Sequence, residues 1–167
     1  YTIAPYADPN QIDRFVPYLN LTFAEFSINT PLRRSHFIAQ AAHESADFNY
    51  VEEISSGVKY EGREDLGNTV KGYGQKYKGR GIFQITGHYN YDSAGDYFGV
   101  SFVDNPKKLT EDEYAVRSAG WFWDREDLND LADEDDFETI TRVINGSTNG
   151  WDDRLLKTRL AKSVFGV

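Results

Sequence analysis

The 167-residue sequence contains no cysteine and no methionine. The lack of cysteine excludes a disulfide framework, thiolate metal ligands and a cysteine nucleophile. No apolar run reaches the roughly 18–20 residues of a membrane span, so we expect no membrane insertion. There is no signal-peptide pattern, and a chain that starts at Tyr1 without any methionine leads us to expect a processed or excised product.

Positive charge is also scarce, and the formal net charge is −9. Nucleic-acid-binding proteins normally present a basic face, so we expect no nucleic-acid partner. Asp124–Glu138 holds nine acids against one arginine, and we expect this run to form a solvated surface. The basic residues that do cluster lie beside a glycine-rich segment and could contact an anionic substrate: Lys71, Lys76, Lys78 and Arg80.

The spacing of apolar residues along the sequence is mainly that of α-helices. Apolar residues recur every three or four positions after Asp8, and Thr30 with Pro31 predicts the N-cap and first residue of a second helix, which ends near Ala46. Further helices are predicted over residues 90–98, 110–123, 137–144 and 152–165, the second of them opened by a capping box at Thr110–Glu113. The irregular region 47–81 is expected to contain a small β-hairpin. We therefore predict one mainly α-helical domain over residues 1–167.

Two carboxylates are the first candidates for chemistry. Glu44 follows an apolar helical segment, and Glu53 lies nine positions further on in a more polar run. A continued helix would point the two residues to opposite faces, so a shared site requires the helix to end between them. Partial burial against Ala41, Ala42 and Phe48 would suit Glu44 as a general acid, and the polar run suits Glu53 as an ionised base.

A zinc site is the main alternative in this segment. His43-Glu44-x-x-Asp47 differs in one ligand type from the H-E-x-x-H zinc helix, and His36 could lie on the same helix face. A structural histidine held by a hydrogen bond is the simpler interpretation of His43.

The segment Gly74–Gly81 lacks the Lys and Ser or Thr of a nucleotide-binding P-loop, and no G-x-S-x-G serine nucleophile is present. We expect no metal and no cofactor.

Four segments together resemble glycoside hydrolase family 19, which includes plant-type chitinases and many phage endolysins. They are AHES at 42–45, YVEE at 50–53, YKGRGIFQITGHYNY at 77–91 and RVINGSTNG at 142–150, and they occur in the family's order. The resemblance implies a mainly α, lysozyme-like α+β fold in which a small β-hairpin lines a sugar-binding cleft. It also implies an inverting enzyme that cleaves β-1,4 bonds at N-acetylglucosamine or N-acetylmuramic acid.

The same resemblance assigns roles to residues by position. Glu44 matches the general acid, Glu53 the general base, and Thr86 the residue that helps to hold the attacking water. Matching substrate-binding positions are Gln84, Tyr89, Asn90, Asn145 and Arg154, with Arg159 as the alternative arginine, and we add His43 as a neighbour of the acid. Ala46-Asp47 stands where the family often has Gly-Gly, and the short connection between the two glutamates resembles that of endolysins.

We therefore expect a muramidase that cleaves the glycan strands of peptidoglycan in the bacterial cell wall or periplasm. Such a protein would be phage-encoded or secreted and could belong to a larger phage or secretion assembly, since it lacks the basic surface of many endolysins. A chitinase with the same residues is the first alternative. A non-catalytic glycan-binding module is the second, and it would leave Glu44 or Glu53 out of reach of the sugar.

Overall fold

The computed structural model describes residues 1–167 and is mainly helical. Eight α-helices follow one another along the chain: α1 Pro9–Glu25, α2 Pro31–Glu44, α3 Tyr73–Lys76, α4 His88–Phe98, α5 Asp112–Arg125, α6 Leu128–Asp133, α7 Phe137–Asn145 and α8 Trp151–Phe165. Short 3-10 turns lie at Val58–Tyr60, Glu64–Leu66 and Pro106–Thr110. None of the helices combines the length and apolar character needed to cross a membrane.

Local capping explains where the first two helices begin. The side chain of Asp8 accepts a hydrogen bond from the backbone N–H of Asn10 at 2.9 Å, and Pro9 opens α1. Thr30 caps α2 by accepting from the N–H of Arg33 at 3.2 Å, as its position before Pro31 predicts. The capping box expected at Thr110 is wrong. The Thr110 hydroxyl instead donates to the carbonyl of Lys107 and closes the preceding 3-10 turn.

Packing joins the long helices around one hydrophobic cluster. Phe37 of α2 lies at its centre, with its ring 5.4 Å from that of Trp123 on α5 and 5.5 Å from that of Phe83. α2 packs most extensively against α8, and α1 against α5. Phe83 belongs to the glycine-rich turn between α3 and α4, so this aromatic contact fixes that turn against α2.

The acidic run is more than a solvated surface. It contains the short helix α6, which the sequence did not predict, and its side chains join separate elements. Asp133 pairs with Arg33 at 2.5 Å, and Asp135 contacts both His36, at 2.7 Å, and Lys162. Burial lowers the pKa of His36, although the Asp135 carboxylate opposes that effect. These contacts bind the run to α2 and α8.

The expected β-hairpin is not formed. Two isolated antiparallel bridges occupy the region instead, one between Glu52 and Arg80 and one between Arg80 and Ile85. The chain reverses within four residues after Arg80, at Gly81 with φ +79° and Gln84 with φ +54°. Across this tight reversal the pairing of Arg80 with Ile85 stays a single bridge.

α2 ends at Glu44, so the helix does end between the two glutamates. Three consecutive non-glycine residues then adopt left-handed backbone conformations: Ala46 at φ +48°, Asp47 at φ +59° and Phe48 at φ +65°. Such conformations cost roughly 1–2 kcal/mol per residue. Asp47 offsets part of this cost because its carboxylate pairs with Lys157 of α8 at 2.9 Å and accepts from the N–H of Tyr6 at 3.0 Å.

Replacing Ala46 with glycine should stabilise the protein. The side chain is exposed, so little packing is lost, and the relief of left-handed strain exceeds the roughly 0.5–1 kcal/mol entropic penalty of glycine. We expect a gain of up to about 1 kcal/mol in the free energy of urea unfolding. The control is Ala24→Gly at an exposed position within α1, which should lose about 1 kcal/mol. Equal losses in both variants would contradict the strain at Ala46.

Candidate active site

A buried arginine holds Glu44, the last residue of α2. Nη2 of Arg154 donates to Glu44 Oε1, and Nη1 donates to Oε1 of Gln40 one turn earlier on α2. The network continues to Thr141 of α7, whose hydroxyl accepts from Gln40 Nε2 at 3.0 Å. Arg154 Nε donates to the carbonyl of Asn149 at 2.9 Å. The Arg154 side chain is 1% exposed and that of Glu44 is 18% exposed, so α7 and α8 fix the carboxylate from the protein side.

This environment differs from the apolar wall expected for an acid. Charge-assisted hydrogen bonds from a guanidinium stabilise an ionised carboxylate. The contact uses only Oε1 of Glu44, and Oε2 makes no hydrogen bond within the protein. One oxygen is therefore anchored while the other is available to carry a proton. The alternative arginine, Arg159, is exposed on α8 and takes no part in this network.

His43 and Asn145 lie beside the same network. Nδ1 of His43 contacts Asp153 Oδ2 at 2.6 Å, and its ring packs against Gly150, where an added β-carbon would lie only 2.2 Å from the ring. Asn145 Oδ1 accepts from the Ser147 hydroxyl at 2.8 Å, which helps to hold the loop between α7 and α8. Both residues therefore support the junction of α2, α7 and α8.

Glu53 lies in a second group of side chains, in the segment that follows the left-handed turn. Its Oε1 contacts Lys59 Nζ at 2.9 Å and accepts from the Ser55 hydroxyl at 2.8 Å, and its Oε2 accepts from the Gly79 N–H at 3.2 Å. Burial raises the pKa of Glu53, but the hydrogen bonds and charge from Lys59, with those from Ser55 and Gly79, outweigh it and leave the pKa below its ordinary value. Glu53 is therefore ionised at neutral pH, as a general base must be.

Gly79 brings Glu53 close to Gln84. A β-carbon at Gly79 would lie 2.7 Å from Gln84 Oε1 and 3.3 Å from Glu53 Oε2, so both side chains face the same small space. The Thr86 hydroxyl donates to the carbonyl of Gln84 at 2.8 Å, and Asn90 Nδ2 donates to the carbonyl of Thr86 at 2.8 Å. These residues form one hydrogen-bonded unit at the start of α4.

Two further features complete this second group. Tyr89 is 58% exposed, and its ring lies over Gly67, where a β-carbon would approach it to 2.6 Å. Arg125 of α5 donates to Asn90 Oδ1 at 2.9 Å and lies 4.6 Å from the ring centre of Trp121. No hydrogen bond joins the first group, around Glu44, to the second group, around Glu53. The turn of residues 45–52 connects them.

Sequence reasoning missed most of the residues that hold the two carboxylates. Gln40, Ser55 and Lys59 carried no motif of their own. The sequence shows the basic cluster at Lys71, Lys76, Lys78 and Arg80, but two of its members form hydrogen bonds within the protein. Arg80 is 5% exposed and bonds Glu52 at 3.1 Å, and Lys78 donates to the carbonyl of Glu53 at 2.8 Å. Only Lys71 and Lys76 of that cluster remain for contact with an anionic substrate.

The zinc alternative has no donor set. His36 and His43 face different carboxylates, Asp135 and Asp153, and do not converge. No group of three or more His, Cys, Asp or Glu side chains is arranged to hold a metal ion. The structural histidine is the interpretation that fits His43.

Replacing Lys59 with methionine should raise the pKa of Glu53, because the variant keeps the aliphatic stem and removes the ammonium. Titration of the Glu53 carboxyl by ¹³C NMR measures this change. A depressed folded-state pKa stabilises the fold above the unfolded-state pKa, and that contribution is lost as the pH falls through the folded-state value. The variant should therefore be less stable than the parent protein at neutral pH, and the difference should vanish in acid.

The matched control for this titration is Lys71→Met, which removes one ammonium from the same segment without touching Glu53. It should leave the Glu53 titration unchanged. An unaltered Glu53 pKa in Lys59→Met, or an equal rise in both variants, would contradict the role assigned to Lys59.

Comparison with known proteins identifies the family of this chain. The model of glycoside hydrolase family 19, described as chitinase class I, matches residues 33–136, a span that includes Glu44, Glu53 and Gln84. A glycosyl hydrolase family 19 domain-containing protein of Haemophilus influenzae is 28% identical over 155 residues, which cover 74% of this chain and 75% of the relative. An endochitinase of Arabidopsis thaliana is 36% identical over 110 residues, which cover 65% of this chain and 37% of the relative.

Solved structures share the fold at low sequence identity. A bacterial family 19 chitinase superposes with a TM-score of 0.81 at 20% identity, over 99% of this chain and 91% of the other. A class IV chitinase from Zea mays superposes with a TM-score of 0.74 at 23% identity, over 99% of this chain and 85% of the other. The chain spans about two fifths of the length of several plant endochitinases it matches, such as those of Arabidopsis thaliana and Zea mays at 37% and 39%. Because the family model matches more than half of the sequence, the chain belongs to glycoside hydrolase family 19.

Proposed function

We propose that this protein hydrolyses β-1,4 bonds in polysaccharides that contain N-acetylglucosamine, with Glu44 as general acid and Glu53 as general base. The observation that carries the proposal is the contrast between the two carboxylates within the span that matches the family. Glu44 is anchored through one oxygen by Arg154, and Glu53 is held ionised by Lys59, Ser55 and Gly79. Two carboxyl groups in different environments are what acid–base hydrolysis of a glycoside requires.

Glu44 would donate its proton to the glycosidic oxygen through Oε2, the oxygen that Arg154 leaves unbonded. After the transfer, the carboxylate would gain full benefit from the guanidinium, because the hydrogen bond is then charge-assisted on both sides. Arg154 therefore favours the product state of the proton transfer. The role of Arg154 in this proposal is to position the acid and to stabilise the charge that forms on it.

Glu53 would remove a proton from the attacking water. Oε2 accepts only the Gly79 N–H, so it retains capacity for a water molecule on the side facing Gln84. Thr86 donates its hydroxyl proton to the carbonyl of Gln84, which leaves its oxygen free to accept from that water. The resemblance to inverting enzymes implies direct attack of this water on the anomeric carbon, with no covalent intermediate.

Chitin is the first candidate substrate. The curated plant relatives are endochitinases, and the structural neighbours are chitinases. Peptidoglycan, the substrate expected from the sequence motifs, is the second candidate. The nine-position spacing of Glu44 and Glu53 supports it, because that spacing resembles the endolysin branch.

Replacing Glu44 with glutamine should reduce hydrolysis by at least about 100-fold, because a general acid typically contributes 10²–10⁴-fold. The amide keeps an acceptor for Arg154, so circular dichroism should show an intact fold. Release of reducing ends from N-acetylglucosamine hexamer and mass spectrometry of digested peptidoglycan together report which bond is cut. The control is Glu134→Gln, an exposed glutamate without an ion pair, which should retain full activity. Retained activity in Glu44→Gln would refute the assignment of the acid.

A further inference from the structure

The connection between α7 and α8 contains the two Asn-Gly pairs of the sequence, Asn145-Gly146 and Asn149-Gly150. In such a pair the backbone nitrogen of the glycine can attack the side-chain amide of the asparagine, because glycine has no β-carbon to hinder the approach. The two pairs have the same chemistry but different surroundings, so the structure determines which of them reacts.

Hydrogen bonds protect the first pair. The Gly146 N–H donates to the carbonyl of Arg142 at 2.8 Å, so its nitrogen is engaged at the end of α7. Asn145 Oδ1 accepts from the Ser147 hydroxyl at 2.8 Å and from the Asn149 N–H at 3.3 Å, which fixes the amide group. Cyclisation at this pair must first break these bonds.

No such bonds hold the second pair. The Gly150 N–H donates no hydrogen bond, and Asn149 forms hydrogen bonds only through its backbone N–H and carbonyl. Both residues are exposed, so solvent base can remove the proton from the Gly150 nitrogen. The Asn149 amide is therefore free to turn onto that nitrogen.

The fold also keeps glycine at position 150. Its φ is +73°, in the left-handed region that favours glycine, and a β-carbon there would lie only 2.2 Å from the His43 ring. A bulkier residue, which would slow the attack, does not fit. The packing beside the proposed acid thus retains the reactive dipeptide.

The reaction needs only water. The Gly150 nitrogen bonds to Cγ of Asn149, the bond from Cγ to the amide nitrogen breaks, and ammonia leaves with the proton lost from Gly150. The resulting five-membered succinimide then takes up one water. Attack of water at Cγ gives aspartate, and attack at the former backbone carbonyl gives isoaspartate, in which the chain continues through the side chain.

The oxygen that changes in isoaspartate is the one that holds Arg154. Arg154 Nε donates to the Asn149 carbonyl at 2.9 Å, and its Nη2 donates to Glu44. In isoaspartate this carbonyl becomes a free carboxylate, and the path to Gly150 is one methylene longer. The buried guanidinium then faces two carboxylates, and charge-assisted hydrogen bonds to the new one compete with those to Glu44.

We propose that Asn149-Gly150 is a site of spontaneous covalent modification, where isoaspartate formation weakens the hold of Arg154 on Glu44. The modification itself depends only on this pair and on water. Its effect on activity rests on the proposed function of Glu44.

The covalent test incubates the whole protein in mildly alkaline buffer and maps its peptides by mass spectrometry at intervals. Position 149 should change from amide to carboxyl at least about tenfold faster than position 145, because Asn145 must first break hydrogen bonds worth about 1 kcal/mol each. Protein isoaspartyl methyltransferase should label the product. An unchanged amide at position 149, or equal rates at the two positions, would overturn the proposal.

The functional test follows hydrolysis of N-acetylglucosamine hexamer by the aged protein. Activity should fall in proportion to the isoaspartate content, with modified molecules at least about tenfold slower, because small displacements of a catalytic group cost up to about 100-fold. At fixed pH, the ¹³C NMR signal of the Glu44 carboxyl should move while that of Glu53 stays. Conversion of position 149 with an unmoved Glu44 signal would overturn the link to Arg154. If the Glu44 signal moves in a protein that cleaves no glycan even before ageing, the proposed function fails and the modification site stands.

Asn149→Gln is the blocking variant, because cyclisation of glutamine requires a larger ring and the exposed side chain has no hydrogen bond to lose. Each protein is compared with its own unaged sample. The variant should keep its starting activity during the incubation in which the parent protein loses activity. Equal losses in both proteins would overturn the role of position 149.

Discussion

The buried guanidinium of Arg154 is the interaction on which the rest of the site depends. It joins Glu44 and Gln40 of α2 to the backbone of Asn149. The same side chain therefore contributes to the packing of α2 against α8 and fixes the position of the proposed acid. A buried charge that loses its partner typically destabilises a fold by about 3–5 kcal/mol. The fold therefore favours a carboxylate or its isostere at position 44, and the proposed mechanism uses the oxygen that Arg154 leaves unbonded.

The left-handed turn after Glu44 is the second constraint, and it separates the two carboxylates. Ala46, Asp47 and Phe48 reverse the chain without glycine, and Asp47 is anchored by Lys157. The chain then runs antiparallel to residues 79–81, where the Glu53 N–H donates to the Gly79 carbonyl at 2.8 Å. This pairing puts Glu53 beside Gln84, and Lys59 completes the surroundings that keep its carboxyl ionised.

The sequence predicted the features that neighbouring residues determine, such as where a helix begins and ends. Thr30 and Pro31 start α2 as expected, and the helix ends between the glutamates as a shared site requires. It did not predict contacts between distant segments. Arg154 lies 110 positions from Glu44, and Asp135 lies 99 positions from His36, so no periodicity or motif connects them. The family resemblance identified Arg154 as a candidate, but only the packing of α8 explains why Arg154 and not Arg159 contacts Glu44.

The hairpin prediction was wrong for a related reason. The irregular region 47–81 is predicted to contain a hairpin, yet only isolated bridges form, from Arg80 to Glu52 and from Arg80 to Ile85, and the chain reverses at Gly81 and Gln84. The same reversal seats Phe83 against Phe37 and turns Gln84 toward Glu53. The tight reversal therefore helps to bring the second group of side chains together.

The central claim is that two carboxylates act by direct attack of water, with Glu44 as acid and Glu53 as base. Proton NMR of the first products released from N-acetylglucosamine hexamer tests it most directly, because the anomeric signals report the configuration at the cleaved carbon. The account predicts that the α-anomer forms first and then mutarotates. Initial formation of the β-anomer would show retention through an intermediate and would contradict it.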